Sequence, residues 1–157
     1  MAWSTSNLSA AGVDQLCNGT FYGANGGTSY AADSILVALY NNTVTPNKND
    51  TLANNTYAAG TWAGNEISQA VQWPAGGVAL TSKTHTFGAG TSQVGAANTA
   101  SGSAATLSGV YGCLVYDNTL TAKYAYCWNY FGGTQSVTSG TFTVVWAAAG
   151  IFQFTIT

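Results

Sequence analysis

Charge is what this chain has least of. Its 157 residues include three Lys, one His, five acids and no Arg, so 5% are charged and the formal net charge is −2. An ordinary soluble domain is about one quarter charged. Catalysis draws on positioned acids, bases and cations, and nucleic-acid binding on clustered Lys and Arg. Neither supply is present, so no nucleic-acid partner is expected. Proline is also scarce, with Pro46 and Pro74 the two examples. No run of about 18 apolar residues exists to cross a bilayer, and no membrane partner is expected. Met1–Asn7 shows neither the basic nor the apolar region of a secretory signal, so the expected setting for folding is a cytoplasm. In that setting the sequons at Asn7, Asn18, Asn41, Asn49 and Asn54 read as by-products of Asn/Thr-rich loops rather than as glycan acceptors.

Cysteine is limited to Cys17, Cys113 and Cys127, with no C-x-x-C spacing and His85 as the one imidazole. Zinc sites need four such ligands, so no metal or other cofactor is expected. Cys113 and Cys127 would face each other across a hairpin if Asp117 pairs with Lys123. In a reducing compartment buried thiols are expected in preference to a disulfide.

What the chain does have is apolar and aromatic mass, 46% hydrophobic and 13% aromatic residues. That is ample for one folded domain, residues 1–157, and argues against disorder. The pattern is that of short strands. Ser34–Tyr40 is a continuous apolar run of strand length, as in a strand buried on both faces. Ile67, Val71 and Trp73 alternate with Ser68 and Gln72, as in a half-buried strand that Pro74 ends. Gly77–Leu80 and Thr84–Phe87 suggest a short pair around Thr81–Lys83. Thr106–Tyr116 and Lys123–Phe131 form a hairpin across Asp117–Thr121, with Tyr124, Tyr126, Trp128 and Tyr130 on one face. Gly132-Gly133 breaks that strand, and Gly140–Trp146 and Ile151–Ile156 follow, separated by a turn at Ala147–Gly150.

Three stretches read differently. Ser6–Leu16 has the spacing of a short N-terminal helix, weakened by Gly12. Asn41–Gly60 is a long Asn-rich loop, a candidate contact arm. Gly88–Ser103, built from Gly, Ala, Ser, Thr, Asn and Gln with one Val, reads as a loop or extended arm. The expected fold is an all-β, single-domain β-sandwich or jelly roll, with residues 1–33 as an N-terminal arm, short helix and loop and residues 34–157 as strands.

Chemistry-bearing residues are few and scattered. His85 lies in Thr-His-Thr-Phe with no nucleophile elbow and no adjacent acid. Asp14, Asp33, Asp50, Glu66 and Asp117 stand singly, as turn and capping acids do. A glycosidase would need two of them to flank one bond, Glu66 with Asp117 being the pair to consider. Asn47-Lys48-Asn49-Asp50 has part of a calcium loop but lacks its Gly and its bidentate Glu. Trp73, Trp128 and Trp146 sit at alternating strand positions and read as core. Trp62, in the Gly-rich Ala-Gly-Thr-Trp-Ala-Gly-Asn-Glu, reads as an exposed anchor. Trp62, Asn65, Asn49 and Asp50 are therefore the expected protein-interface residues.

A wider pattern joins these pieces. Ile35–Tyr40 is followed by Gly64-Asn65-Glu66-Ile67 leading to Trp73, then by Val110-Tyr111-Gly112-Cys113-Leu114-Val115-Tyr116-Asp117 and a second aromatic strand. The chain closes on Gly133–Gly140, Thr141-Phe142-Thr143-Val144-Val145-Trp146 and Gly150-Ile151-Phe152. This resembles a group of small virion structural proteins of tailed bacteriophages, whose last strands run Gly-Thr-Phe-Thr, an apolar pair near a Trp, then Gly-Ile or Gly-Leu. The low charge and the Gly88–Ser103 stretch depart from that group. The resemblance implies a non-enzymatic head decoration or cement protein, assembled in the host cytoplasm and resident on the virion. Its partners would be the major capsid protein and neighbouring copies of itself in a homo-oligomer. Two other readings stand beside it: a tail, fibre or neck module binding a host-surface glycan or another virion protein, with Trp62 and nearby Tyr and Asn side chains as the sugar contacts, and a glycan hydrolase using Glu66 or Asp117.

Overall fold

The computed structural model describes residues 3–9 and 30–155, and the fold is all-β. Its centre is an antiparallel sheet built around the apolar run. Strand β1 (Asn7–Leu8) is followed by β2 (Ile35–Tyr40), β3 (Glu66–Ile67) and β4 (Val78–Ala79), then by the long hairpin β8 (Ala105–Asp117) and β9 (Ala125–Gly140). The order is β1-β9-β8-β2-β3, with β4 also on β2. Alternate residues of β2 point to opposite faces, and both faces are covered. Ile35, Val37 and Leu39 join Cys113, Val115, Cys127 and Trp73 in one core, while Ala38 and Tyr40 join Leu114, Tyr116, Trp62 and Trp128 in a second.

Two smaller sheets cover the first core. One is β5 (Thr84–Gly88), β6 (Thr91–Gly95) and β11 (Phe152–Thr155), ordered β11-β6-β5; the other pairs β7 (Thr99–Ala100) with β10 (Thr143–Val144). They contribute Val94, Val144 and Phe152, and the flanking Phe142 and Ile151 join them. The second core is roofed by Trp3 and by residues 41–65, which fold back as two 3-10 turns at Leu52–Asn54 and Gly60–Trp62. The layering is sandwich-like.

Several expectations change. Asn7 and Leu8 pair with Trp128 and Cys127 as a strand, not a helix; residues 10–16 of the expected helix, with Asp14, lie outside the described residues, as does Cys17. The strand expected through Val71 stops at Ile67. A bridge between Gln69 and Trp73 closes a turn that buries Trp73 and leaves Val71 exposed. Strand β4 pairs with β2, and β5 pairs with β6, so the expected pairing between Gly77–Leu80 and Thr84–Phe87 does not form. Gly77 has φ 90°, and a side chain there would overlap the Val37 carbonyl, which is how β4 comes so close to β2.

Within the Gly88–Ser103 stretch, β6 and β7 form instead of an arm. Ala89 and Gly90 both have positive φ (48° and 75°), the requirement of a type I′ hairpin turn. Backbone pairing, anchored by Val94, holds a segment that has almost no apolar periodicity. The Gly132-Gly133 break is absent: β9 passes through it, kinked by φ angles of 79° and 154°. Tyr124, which precedes β9, and Tyr126, Trp128 and Tyr130 within it do not share a face. A bulge opposite Val115 and Tyr116 sends Tyr126 and Cys127 to the first core and Trp128 to the second.

That bulge also decides the cysteines. Asp117 meets Tyr124 rather than Lys123, through a 2.9 Å bond from its N–H to the Tyr124 carbonyl. Cys113 therefore sits opposite Asn129 and Cys127 opposite Val115, a diagonal pair on one face instead of direct partners. Both thiols are free and buried. Burial pushes the Cys113 thiol up to about 12. Cys127 is raised by burial first and by neighbouring Cys113 second.

Candidate interaction surface

The structure separates the four residues expected at an interface: Asn49 and Asn65 are exposed, Asp50 is half-buried and Trp62 is buried. Trp62 is 1% exposed, wedged among Trp3, Tyr40 and Trp128 with ring centroids 5.1–6.1 Å apart. The Gly-rich sequence around it makes a 3-10 turn that drives the indole inward instead of presenting it. Asp50 accepts hydrogen bonds from Thr61 and, at 3.1 Å, from Asn47 Nδ2, stapling the 41–60 loop to that turn. The loop is a packed cover rather than a free arm, with Val44, Asn55 and Thr56 buried. Asn49 is exposed, and its N–H donates to Asn47 Oδ1 at 3.1 Å. Asn65 is also exposed; it takes the left-handed backbone (φ 61°) that Asn tolerates and accepts the Asn41 N–H at 3.1 Å.

Glu66 and Asp117, like Asp50, are engaged in structure. Glu66 accepts from Gly76 N–H at 2.7 Å and Tyr57 O–H at 2.8 Å, and burial followed by that carboxylate pushes the Tyr57 hydroxyl up to about 12. Asp117 accepts the Thr119 N–H at 2.8 Å at the head of the hairpin turn. The two acids do not converge. Glu66 lies opposite Tyr40 and Asp117 opposite Ile35, at the two ends of β2. Five residues of strand separate those ends by roughly 17 Å, well beyond the separation of a glycosidase pair. His85 Nε2, on exposed strand β5, lies 2.8 Å from Ser92 Oγ of β6. No acid among the described residues hydrogen-bonds this imidazole to make it part of a triad. Among the described residues no three His, Cys, Asp or Glu gather as a metal site, and no helix is long and apolar enough to cross a membrane.

What the sequence reading missed is where apolar groups reach the surface. Val71 is 90% exposed and Val145 is 69% exposed. The elements carrying them adjoin: the Gly102 N–H reaches the Gln72 carbonyl, the Phe142 N–H donates to Ser101 Oγ at 2.8 Å, and Trp73 meets Phe142 edge-on at 5.9 Å. Beside Val145 a cleft of about 270 Å³ opens between β10 and β9, lined by Phe131, Gln135, Phe142 and Val144. The β9 edge from Phe131 to Gly140 has no strand partner there among the described residues. No Lys, Arg, Asp or Glu occurs from Tyr124 to Thr157 or from Ile67 to Ser82.

Val71 is distinctive on a second count. Its φ is 75°, a region that β-branched residues avoid. The bridge of Gln69 to Trp73, with N–H to carbonyl distances of 2.8 and 2.9 Å, enforces it. A pattern of alternation could not reveal this, because Val71 falls in phase with Ile67 and Trp73. A third exposed apolar group, Phe87 at 74%, stands near the tip of the β5–β6 hairpin. In comparisons with known proteins, no family model, no curated protein and no solved structure matches the chain.

Proposed function

We propose that this chain is a non-enzymatic virion structural protein, a head decoration or cement subunit that lies against the major capsid protein and neighbouring copies of itself. One observation carries the reading: Val71, nearly fully exposed, is held in a costly backbone conformation on a stretch without charged residues that continues through Val145 to a strand edge unpaired among the described residues. Strain held by surrounding bonds at an exposed apolar group is what a rigid contact anchor requires. Asp50, Glu66 and Asp117, engaged in turns and hydrogen bonds, and the resemblance of the β8, β9 and C-terminal segments to small phage virion proteins support the same reading.

The test uses purified capsid shells lacking this protein. Added protein attaches and raises the temperature at which the shells disrupt. A Val71→Ser, Val145→Ser double variant keeps its own melting temperature and attaches at least about tenfold more weakly, since each buried Val contributes more than the 1.4 kcal/mol that a factor of ten requires. Failure of the unaltered protein to attach, or attachment indifferent to both substitutions, overturns the reading.

A further inference from the structure

Phe87, 74% exposed, belongs to neither core and is not part of the Val71 surface. It stands on β5, whose five residues Thr84–Gly88 are all exposed. Strand β5 ends the order β11-β6-β5, so among the described residues no strand pairs with its outer side. Natural sheet edges are blunted by Lys, Pro or a bulge. Thr-His-Thr-Phe-Gly contains neither residue, and its register with β6 runs unbroken from Thr84 against Gly95 to Gly88 against Thr91.

The turn fixes which backbone groups are free. Gly88 and Thr91 flank Ala89-Gly90 and form the hydrogen-bonded pair that closes a two-residue hairpin loop. Alternation then turns the N–H and C=O of Gly88, Thr86 and Thr84 toward β6 and those of Phe87 and His85 outward. An incoming antiparallel strand must offer free groups at the same spacing, and a second β5 does. With a twofold axis at Thr86, His85 of each copy meets Phe87 of the other, exchanging N–H and C=O bonds, and all five residues of both strands are paired. Other axes lose pairs: one at His85 sets Gly88 against Ser82, and one at Phe87 sets His85 against Ala89, both left-handed at φ 48°.

Side chains and charge agree with that register. His85 and Phe87 lie on one face of β5 and Thr86 on the other. Pairing about Thr86 sets each Phe87 ring beside the other copy's imidazole, a cross-strand aromatic contact that covers the exposed ring. The charge nearest the strand in sequence is Lys83, whose ammonium donates to the Asp33 carbonyl. Its counterpart in the second copy lies roughly 20 Å along the ladder. That exceeds the Debye length of about 8 Å in physiological salt, so the lysines do not oppose the pair.

We infer that β5 is the contact between copies of this chain: two molecules join their three-stranded sheets edge to edge, antiparallel about Thr86, into one continuous sheet. This gives the copy-to-copy contact of the proposed function a place, and it rests on that reading for what holds copies adjacent. Two short strands bury less than the roughly 1,200 Å² of a stable interface, so the pair is weak in free solution. Attachment of both copies to one shell raises their effective concentration and strengthens it.

Sedimentation velocity of the full chain from about 10 μM to about 1 mM, the range of weak pairs, should show monomer giving way to dimer. Hydrogen exchange over the same series should slow at the His85 and Phe87 amides. Thr86→Lys or Thr86→Glu sets like charges face to face across the axis and should weaken pairing at least about fivefold, whereas an equal mixture of the two variants restores it. The Thr86 side chain is exposed, so each variant should melt within about 2 °C of the parent. Phe87→Ser, on the opposite face, should weaken pairing independently. A parent that stays monomeric throughout, a dimer indifferent to charge at Thr86, or a mixture that pairs no better than its components overturns the contact. Shell attachment is scored separately: pairing without attachment overturns the shell reading alone, and attachment of a chain that never pairs overturns the β5 contact alone.

Discussion

Asp117 combines full burial with a second acid close by, since buried Asp33 acts on it electrostatically. Burial is the larger influence and Asp33 the smaller, and both hold the Asp117 carboxyl above the ordinary value of 3.8 against the opposing bonds from Thr119 and Leu120. The groups facing it among the described residues are Asp33 from the loop before β2, Thr119 from the turn and the Tyr126 hydroxyl of β9 at 3.4 Å. A carboxyl raised in the folded state binds its proton more tightly there than when unfolded. Stability therefore rises as pH falls through the folded value and stops rising near the unfolded one. Asp117→Asn is close to the protonated acid in shape and keeps an acceptor for Thr119. The variant should be at least as stable as the parent at pH 7, and its melting temperature should vary less with pH above 3.8. Thermal melts at stepped pH check this; a parent whose stability falls steadily on acidification through that window contradicts it.

At the scale of elements, the β5–β6 hairpin is the clearest case of backbone geometry overruling side-chain pattern. Ala89 occupies a left-handed position that costs an L-residue roughly 1–2 kcal/mol and that Asn fills more readily. Ala89→Asn, creating the favoured Asn-Gly turn, should gain about 1 kcal/mol and raise the melting midpoint by roughly 2–4 °C. A neutral or lower midpoint would show that this turn is not of that type. The same hairpin shows what was legible in the sequence. Strand β2 and the β8–β9 pair could be read because their apolar residues are large and bounded by turns. Strands β6 and β7 could not, because Thr, Ser, Gln and Gly carry no burial signal and the pairing rests on main-chain bonds. The bulge at Tyr126 was hidden for a related reason. One extra residue reverses the phase of everything beyond it, and nothing in Tyr-Ala-Tyr-Cys-Trp marks where the phase changes. Trp62 was misplaced because a Gly-rich neighbourhood implies a turn but not the direction in which the turn aims its side chain.

For the whole molecule, the scarcity of charge sets the kind of association available. Both faces of the central sheet are already covered, so what remains outside is hydroxyl, amide and a few apolar groups, with a net charge of −2 from eight charged side chains. Long-range steering needs clustered charge of one sign, and the Val71–Val145 surface has none. On the proposed reading, contact there comes from short-range burial and main-chain pairing along the β9 edge, neither of which salt screens. Attachment to shells should therefore change less than about threefold between about 50 and about 500 mM sodium chloride, where an interface resting on several ion pairs would weaken far more. Sulfate, which favours burial, should strengthen it. Cosedimentation with shells across that series measures both effects. A steep decline with sodium chloride would mean that Lys48, Lys83 or Lys123 carries the contact, and would move the interface away from Val71 to whichever of these lysines restores salt-independence when replaced.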